Sequence, residues 1–310
     1  MTRRQPARAR KERVTPRRPP VSTGSAARPS GFLQSFPVKS VFCFLAGLGL
    51  AVTGHRAGAA PAPVWSDEFN QPVGSAPDPA KWAYDLGGSG WGNRELEVYT
   101  DSRDNSRVVA DPEATDGRAL AIRAVRTAGG GYTSARLKTL GLFTLTGGRI
   151  EARIKLPRGQ GIWPAFWLLG CDVDHVGWPA CGEIDIMELL GSRPGTIYGT
   201  LHGPGYSGAH PLQRSFTLPD GAVFAAGYHV FALDWAPDRI IWSVDGHVYQ
   251  VRTPADLPAG ARWVFRDRPF YLLLNLAVGG NWPRDPDSTT EFPQTLYVDY
   301  VRVFAPAPKP

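Results

Sequence analysis

Methionine and cysteine are scarce in this chain of 310 residues, with two and three copies respectively. Beyond position 60 no segment holds the 3.6-residue apolar period over helix length, which argues against a helical bundle, and no internal repeat points to a solenoid or propeller. The main apolar run, Val41 to Val52, is too short to span a bilayer comfortably as a permanent helix. Acidic residues are almost missing from the first 60 positions, where Glu12 stands alone against eleven Lys and Arg. Taking that segment from the totals of 34 basic and 28 acidic residues leaves 23 and 27, a formal charge of −4. The overall +6 therefore belongs to the leader. The body has no positive excess with which to neutralise phosphates, and a nucleic-acid partner is excluded.

The leader has the order of a signal peptide. Lys39 precedes the apolar core at about 41–52, and the small residues Ala57, Gly58, Ala59 and Ala60 follow before Pro61. This predicts a secreted or extracellular protein (periplasmic if the envelope has two membranes) with no stable membrane anchor, an uncleaved anchor being the alternative. Residues 1–60 are then a basic extension plus signal peptide, 61–305 one domain, and 306–310 a loose Pro-rich tail. Arg17 and Arg18 lie too far from the apolar run for a twin-arginine signal, and translation from Val38 would account for the long basic prelude. Cys43 falls in the removable run. Cys171 and Cys181 remain, ten positions apart, and in an oxidising compartment are expected to form one disulfide around the loop CDVDHVGWPAC. Zinc is the competing reading, but two cysteines with only His175 nearby are too few ligands.

From Pro61 to Phe304, Gly, Pro, Asn and Asp punctuate short alternating strands, the pattern of an all-β domain. RIEARIKL, from Arg149, alternates polar and apolar residues and reads as a strand with one covered face. RIIWSVDGHVYQVR reads as a hairpin with Asp245 and Gly246 at its turn, and LYVDYVRVF alternates again near the end. Two stacked antiparallel sheets, bent to make one face concave, would line a groove with every second residue.

The segment GEIDIMELLG, Gly182 to Gly191, threads three carboxylates through large apolar residues. Ile184 and Ile186 alternate with Glu183 and Asp185, so as a strand it turns isoleucines to a core and two acids to the other face. Glu188 follows Glu183 by five positions, an odd offset that sends it to the core unless an extra residue near Ile186 and Met187 forms a β-bulge. With that bulge all three acids share a face. Like charges so packed raise at least one pKa, which suits a site that needs one protonated and one ionised carboxyl. The chemistry implied is glycoside cleavage. A solvated strand edge or a hard-cation site would show the same triplet, but Trp163, Trp167 and Trp178 close upstream suit a sugar ring better.

In GIWPAFWLLG, Trp163, Ala165 and Trp167 share a face opposite Ile162, Phe166 and Leu168. Their flat rings would serve as a platform for pyranose faces, with core packing as the alternative. Trp91, Asn93 and Arg94, in a Gly-bounded loop, offer donors for sugar hydroxyls. His202 follows the strand IYGTL and is placed to touch one of the acids, while Asn281 and Trp282, after Gly279-Gly280, would close the groove.

The motifs WGNRELEVYT, YTSARLKT, GRIEARIKLPRGQGIWPAFWLLG, WPACGEIDIMELLG, LNLAVGGNWP and VDYVRVF together resemble glycoside hydrolase family 16 of the laminarinase (endo-1,3-β-glucanase) type, over nearly all of Val64 to Phe304. The resemblance implies a β-jelly-roll with a concave glycan cleft, acting on a β-glucan as a monomer and needing no cofactor for catalysis. It implies Glu183 as nucleophile, Glu188 as acid/base, and Asp185 as the residue holding Glu183. It also implies a structural calcium ion bound by the Asp299 carboxylate and the carbonyls of Glu68 and Gly117. Arg284 stands where many relatives have glycine after NWP, a departure that bears on chain-length preference. Three other functions share the fold: hydrolysis of mixed-linkage 1,3-1,4-β-glucan or another polysaccharide, transglycosylation, and non-catalytic glucan binding. Binders of this kind typically lose the catalytic acids, and here all three are present.

Overall fold

The computed structural model describes residues 62–306; the expected signal peptide, with Cys43, and the last four tail residues lie outside the described residues. The strands in chain order are β1 (Trp65–Asp67), β2 (Ala83–Asp85), β3 (Glu97–Tyr99), β4 (Ser106–Ala110), β5 (Arg118–Arg126), β6 (Tyr132–Ser134), β7 (Arg136–Lys138), β8 (Gly148–Lys155), β9 (Ile162–Gly170), β10 (Glu183–Leu189), β11 (Thr196–His202), β12 (Leu212–Thr217), β13 (His229–Ala236), β14 (Arg239–Val244), β15 (His247–Arg252), β16 (Phe270–Val278) and β17 (Gln294–Phe304). One α-helical turn, α1 (Val173–Val176), and two short 3-10 turns complete the regular elements among the described residues.

Two sheets stack as a jelly-roll sandwich. The larger runs β15-β14-β13-β8-β17-β5-β6-β3, with β1 also on β17 and β4 on β5, and the smaller runs β12-β11-β10-β9-β16-β7-β2. Their pairings are antiparallel except for β3 with β6. The expected strand RIEARIKL is β8, whose burial alternates strictly along its length. The predicted hairpin joins β14 and β15, and Asp245 and Gly246 both have positive φ, as the tight turn requires.

The core lies between the sheets. From the smaller sheet come Phe166, Leu168, Ile184, Ile186, Met187, Leu272, Leu274 and Leu276, and from the larger Ile150, Ile154, Phe231, Leu233, Trp242 and Val298. Burial of so many apolar side chains, at about 1.5–3 kcal/mol each, is the main force holding the two sheets together. One glycine lets the core reach the site: a Cβ at Gly199 on β11 would meet the Tyr249 hydroxyl at 2.5 Å and the Trp242 ring at 2.7 Å. With only hydrogen there, the Trp242 indole reaches β10 and donates to the Asp185 carbonyl at 2.8 Å.

Asp299, expected to give its carboxylate to a calcium ion, is already taken up by protein donors. The Asp299 carboxylate accepts from the Thr115 N–H at 3.0 Å, the Thr115 hydroxyl at 2.6 Å and the Arg153 guanidinium at 2.5 Å. The Gly117 carbonyl accepts the Asp111 N–H. Arg153 already supplies the positive charge that Asp299, itself buried, needs.

Candidate active site

The acidic strand folds as its parity demands. Along β10, Glu183 pairs with Leu169, Ile184 with Leu168 and Asp185 with Trp167; Met187 then pairs with Phe166 and Glu188 with Ala165, so Ile186 is the extra residue of a bulge. The ladder to β11 shifts over the same stretch, between Asp185 and Glu188. Ile186 and Met187 both point into the core. Glu183, Asp185 and Glu188 consequently project together from the outer face of the smaller sheet, on the floor of a cleft of about 890 Å³.

Aromatic N–H groups hold the two glutamates separately. The Trp178 indole donates to Glu183 at 3.0 Å. Trp163 donates to one Glu188 oxygen at 3.0 Å, and the Thr200 hydroxyl to the other at 3.2 Å. Thr200 is held in turn by Gln213. His202, directly across from Glu183 in the ladder, places Nε2 at 3.4 Å from Asp185 and 3.7 Å from Glu183. Burial, and then the Asp185 charge, push Glu183 up to about 7, while His202, the Trp178 N–H and Arg136 pull the other way. Burial followed by the Asp185 charge holds Glu188 well above the usual carboxylate range, and burial does the same to Asp185. The cleft thus has a carboxyl poised to ionise near neutrality and another that keeps its proton, the pairing a general acid and a nucleophile require.

Trp91, Asn93, Trp163, Trp167, Trp178, His202, Asn281 and Trp282 all line the cleft as expected. Trp282 packs edge-on against Trp163 and Tyr198, closing the Glu188 end. Arg94 does not join them. It is exposed, with a positive φ in the turn from Gly90, and its neighbours Asn93 and Glu95 take the cleft side. Arg136 was not anticipated. Its guanidinium lies between the Trp91 and Trp167 rings, 4.7 and 4.8 Å from their centroids, and its Nε is fixed by Asp85. In YTSARLKT it alternates with the buried Ala135 and Leu137, a parity that already marked it as facing away from the core. Asn275 was likewise not anticipated, though it is the one amide side chain in the apolar run of β16.

Cys171 and Cys181 are free thiols here, in place of the expected bridge. Cys181 is fully buried against Leu169, Tyr271 and Leu273. Burial pushes its thiol up to about 12 and raises that of Cys171. Glu183, Asp185 and His202 offer three ligand atoms within 4.8 Å of one another and could hold an ion. The tryptophan walls around them suit a sugar ring better than an ion.

Comparison with known proteins agrees with this geometry. Residues 97–302 match the model of glycosyl hydrolases family 16. A β-glucanase of Rhodothermus marinus is 44% identical over 258 residues, covering 78% of this chain and 84% of that protein. The endo-β-1,3-glucanase of Pyrococcus furiosus superposes with a TM-score of 0.71 at 47% identity, over 79% of this chain and 95% of that one. SCLam, a non-specific endo-β-1,3(4)-glucanase solved as a mutant with 1,3-β-D-cellotriosyl-glucose, gives a TM-score of 0.68 at 37% identity, over 80% and 95%.

Proposed function

This chain belongs to glycosyl hydrolase family 16 and is a glycoside hydrolase, and from that premise we propose that it cleaves internal 1,3-β-linkages of laminarin-like glucans with retention of anomeric configuration. The observation that carries the reading is the bulge at Ile186, which puts Glu183 and Glu188 on one face of one strand at the floor of a tryptophan-walled cleft. Catalysis in this family needs no cofactor.

Glu183 is the nucleophile. The Trp178 N–H, His202 and Arg136 favour its anion, and the Trp178 bond at 3.0 Å leaves the other carboxylate oxygen to approach the anomeric carbon. Glu188 is the acid/base: it protonates the departing glycosidic oxygen, then takes a proton from the water that hydrolyses the glycosyl-enzyme. Asp185, buried beside His202, keeps Glu183 in position and raises its pKa. The indoles of Trp163, Trp167 and Trp282 offer faces for neighbouring glucose rings. The cleft is complete within one chain, which supports action as a monomer, and the leader supports export.

The test is release of reducing sugar from laminarin by the wild type beside Glu183→Gln. Loss of activity in the variant is expected; equal activity in both removes Glu183 from the mechanism, and an inactive wild type that still binds laminarin makes the chain a glucan-binding protein.

A further inference from the structure

The strand leading away from the Trp91 loop is inside out. Glu95, Glu97 and Tyr99 point inward with 9%, 1% and 1% of their surface exposed, while Leu96 and Val98 face outward at 42% and 45%. Strand alternation normally buries the leucine and valine, and burying two neighbouring carboxyls in their place is unfavourable unless the acids are paired or neutral.

The contacts give the inversion a purpose. Glu95 accepts from the Asn93 amide at 3.0 Å and from the Tyr99 hydroxyl at 3.1 Å. Tyr99 accepts from Asn275 at 3.0 Å, whose carbonyl oxygen takes the Trp167 N–H at 2.8 Å. A continuous line of hydrogen bonds therefore runs from Glu95 to a tryptophan of the cleft wall. Glu97 accepts the Val278 N–H at 2.6 Å, where β16 ends and the Asn281-Trp282 loop begins. The Asn93 carbonyl accepts the Asn281 N–H, joining the same two loops a second time. The other Glu97 oxygen is buried with no donor in reach. That orphan disappears once Glu97 is a neutral acid, because its own proton then goes to the Glu95 carboxylate. Burial and the adjoining Glu95 charge, which push Glu97 up to about 9, keep that proton in place. The other ionisable groups facing the pair are Tyr99, raised by burial and by both acids, and Arg136 from β7, itself tied to Asp85; β16 presents the neutral Asn275 and a backbone amide.

We propose that Glu95 and Glu97 are positioning residues that share one proton and thereby fix Asn93 at the cleft rim, the Asn281-Trp282 loop, and, through Tyr99 and Asn275, the Trp167 indole. The kinetic part rests on the glucanase reading above. The pair acts through these side chains on substrate binding and takes no part in bond cleavage, so its loss should appear in KM rather than kcat.

The experiment compares wild type, Glu97→Ala and Glu97→Gln on laminarin across pH. Glu97→Ala is expected to raise KM about tenfold with kcat changed less than about threefold, the loss of one buried hydrogen bond. Glu97→Gln keeps an acceptor for Val278 and gives Glu95 an N–H that cannot ionise; it should return KM towards the wild-type value and abolish the rise in wild-type KM as pH passes about 9. A Glu97→Gln enzyme as impaired as Glu97→Ala, or with the wild-type alkaline rise, overturns the proposal. An infrared difference spectrum at neutral pH needs no substrate and decides the pair even if laminarin is not cleaved. Wild type minus Glu97→Gln should contain a protonated-carboxyl C=O stretch, and its absence contradicts the shared proton whatever the variants do kinetically.

Discussion

Glu183 and Glu188 stand five residues apart in the chain and still project from the same face of one strand, because Ile186 and Met187 both turn inward between them. A regular pleat would have buried Glu188 among the leucines.

The bulge makes the length of this segment critical. Deleting Met187 gives E-x-D-x-E, an even spacing that a flat ladder satisfies, so the acids keep their common face. The loss of a core methionine lowers stability by about 2–5 kcal/mol, and measurable laminarin hydrolysis should survive at low temperature. Inserting an alanine after Met187 makes the offset six, also even, so a flat ladder returns Glu188 to the cleft face but one residue pair, roughly 6–7 Å, further along the strand. That is out of reach of a bond attacked by Glu183, and general-acid catalysis is lost, about 10²–10⁴-fold. Reducing-sugar assays on the two variants check this: an inactive but folded deletion variant would refute the parity argument, and an active insertion variant would refute the required spacing of the two glutamates.

The pH dependence follows from the site's charges. Attack requires Glu183 ionised and departure requires Glu188 protonated, so kcat/KM should rise as pH passes about 7 and fall again where Glu188 loses its proton. Asp185 raises Glu183 by repulsion. In Asp185→Asn that repulsion is gone, and the acidic limb of the profile should move to lower pH even though the rate maximum drops. A limb that stays put or moves up would mean that another group controls it.

Calcium should matter little to stability. Arg153 holds Asp299 at 2.5 Å with 26% of its side chain exposed, and chelator treatment is expected to leave Tm unchanged, whereas Arg153→Ala should cost about 3 kcal/mol by stranding a buried carboxylate. A Tm that rises with added calcium and falls with chelator contradicts the placement of Arg153.

Thiol titration should count both Cys171 and Cys181 in protein with the leader removed. Cys171, partly exposed, reacts first, and Cys181 reacts only on unfolding. Mass spectrometry that finds the pair oxidised would reverse this.

Much of the architecture was legible in the sequence because alternation maps directly onto a sandwich: β8, the Asp245-Gly246 hairpin and the bulge were each readable from parity alone. What escaped depended on neighbours distant in sequence. The ion pair between Asp299 and Arg153 joins residues 146 positions apart, and no local pattern announces it. Arg94 sat in the right loop, but the positive φ of a tight turn sends it outward. Glu95 and Glu97 were unreadable for the opposite reason, since a strand with its acids inside and leucine outside inverts the rule by which strands are read.

The central claim, that Glu183 and Glu188 carry out a double displacement, is tested most directly by proton NMR of the first products formed from laminarin. The account predicts that the new reducing ends appear as the β-anomer and only later mutarotate. An α-anomer formed first would contradict it.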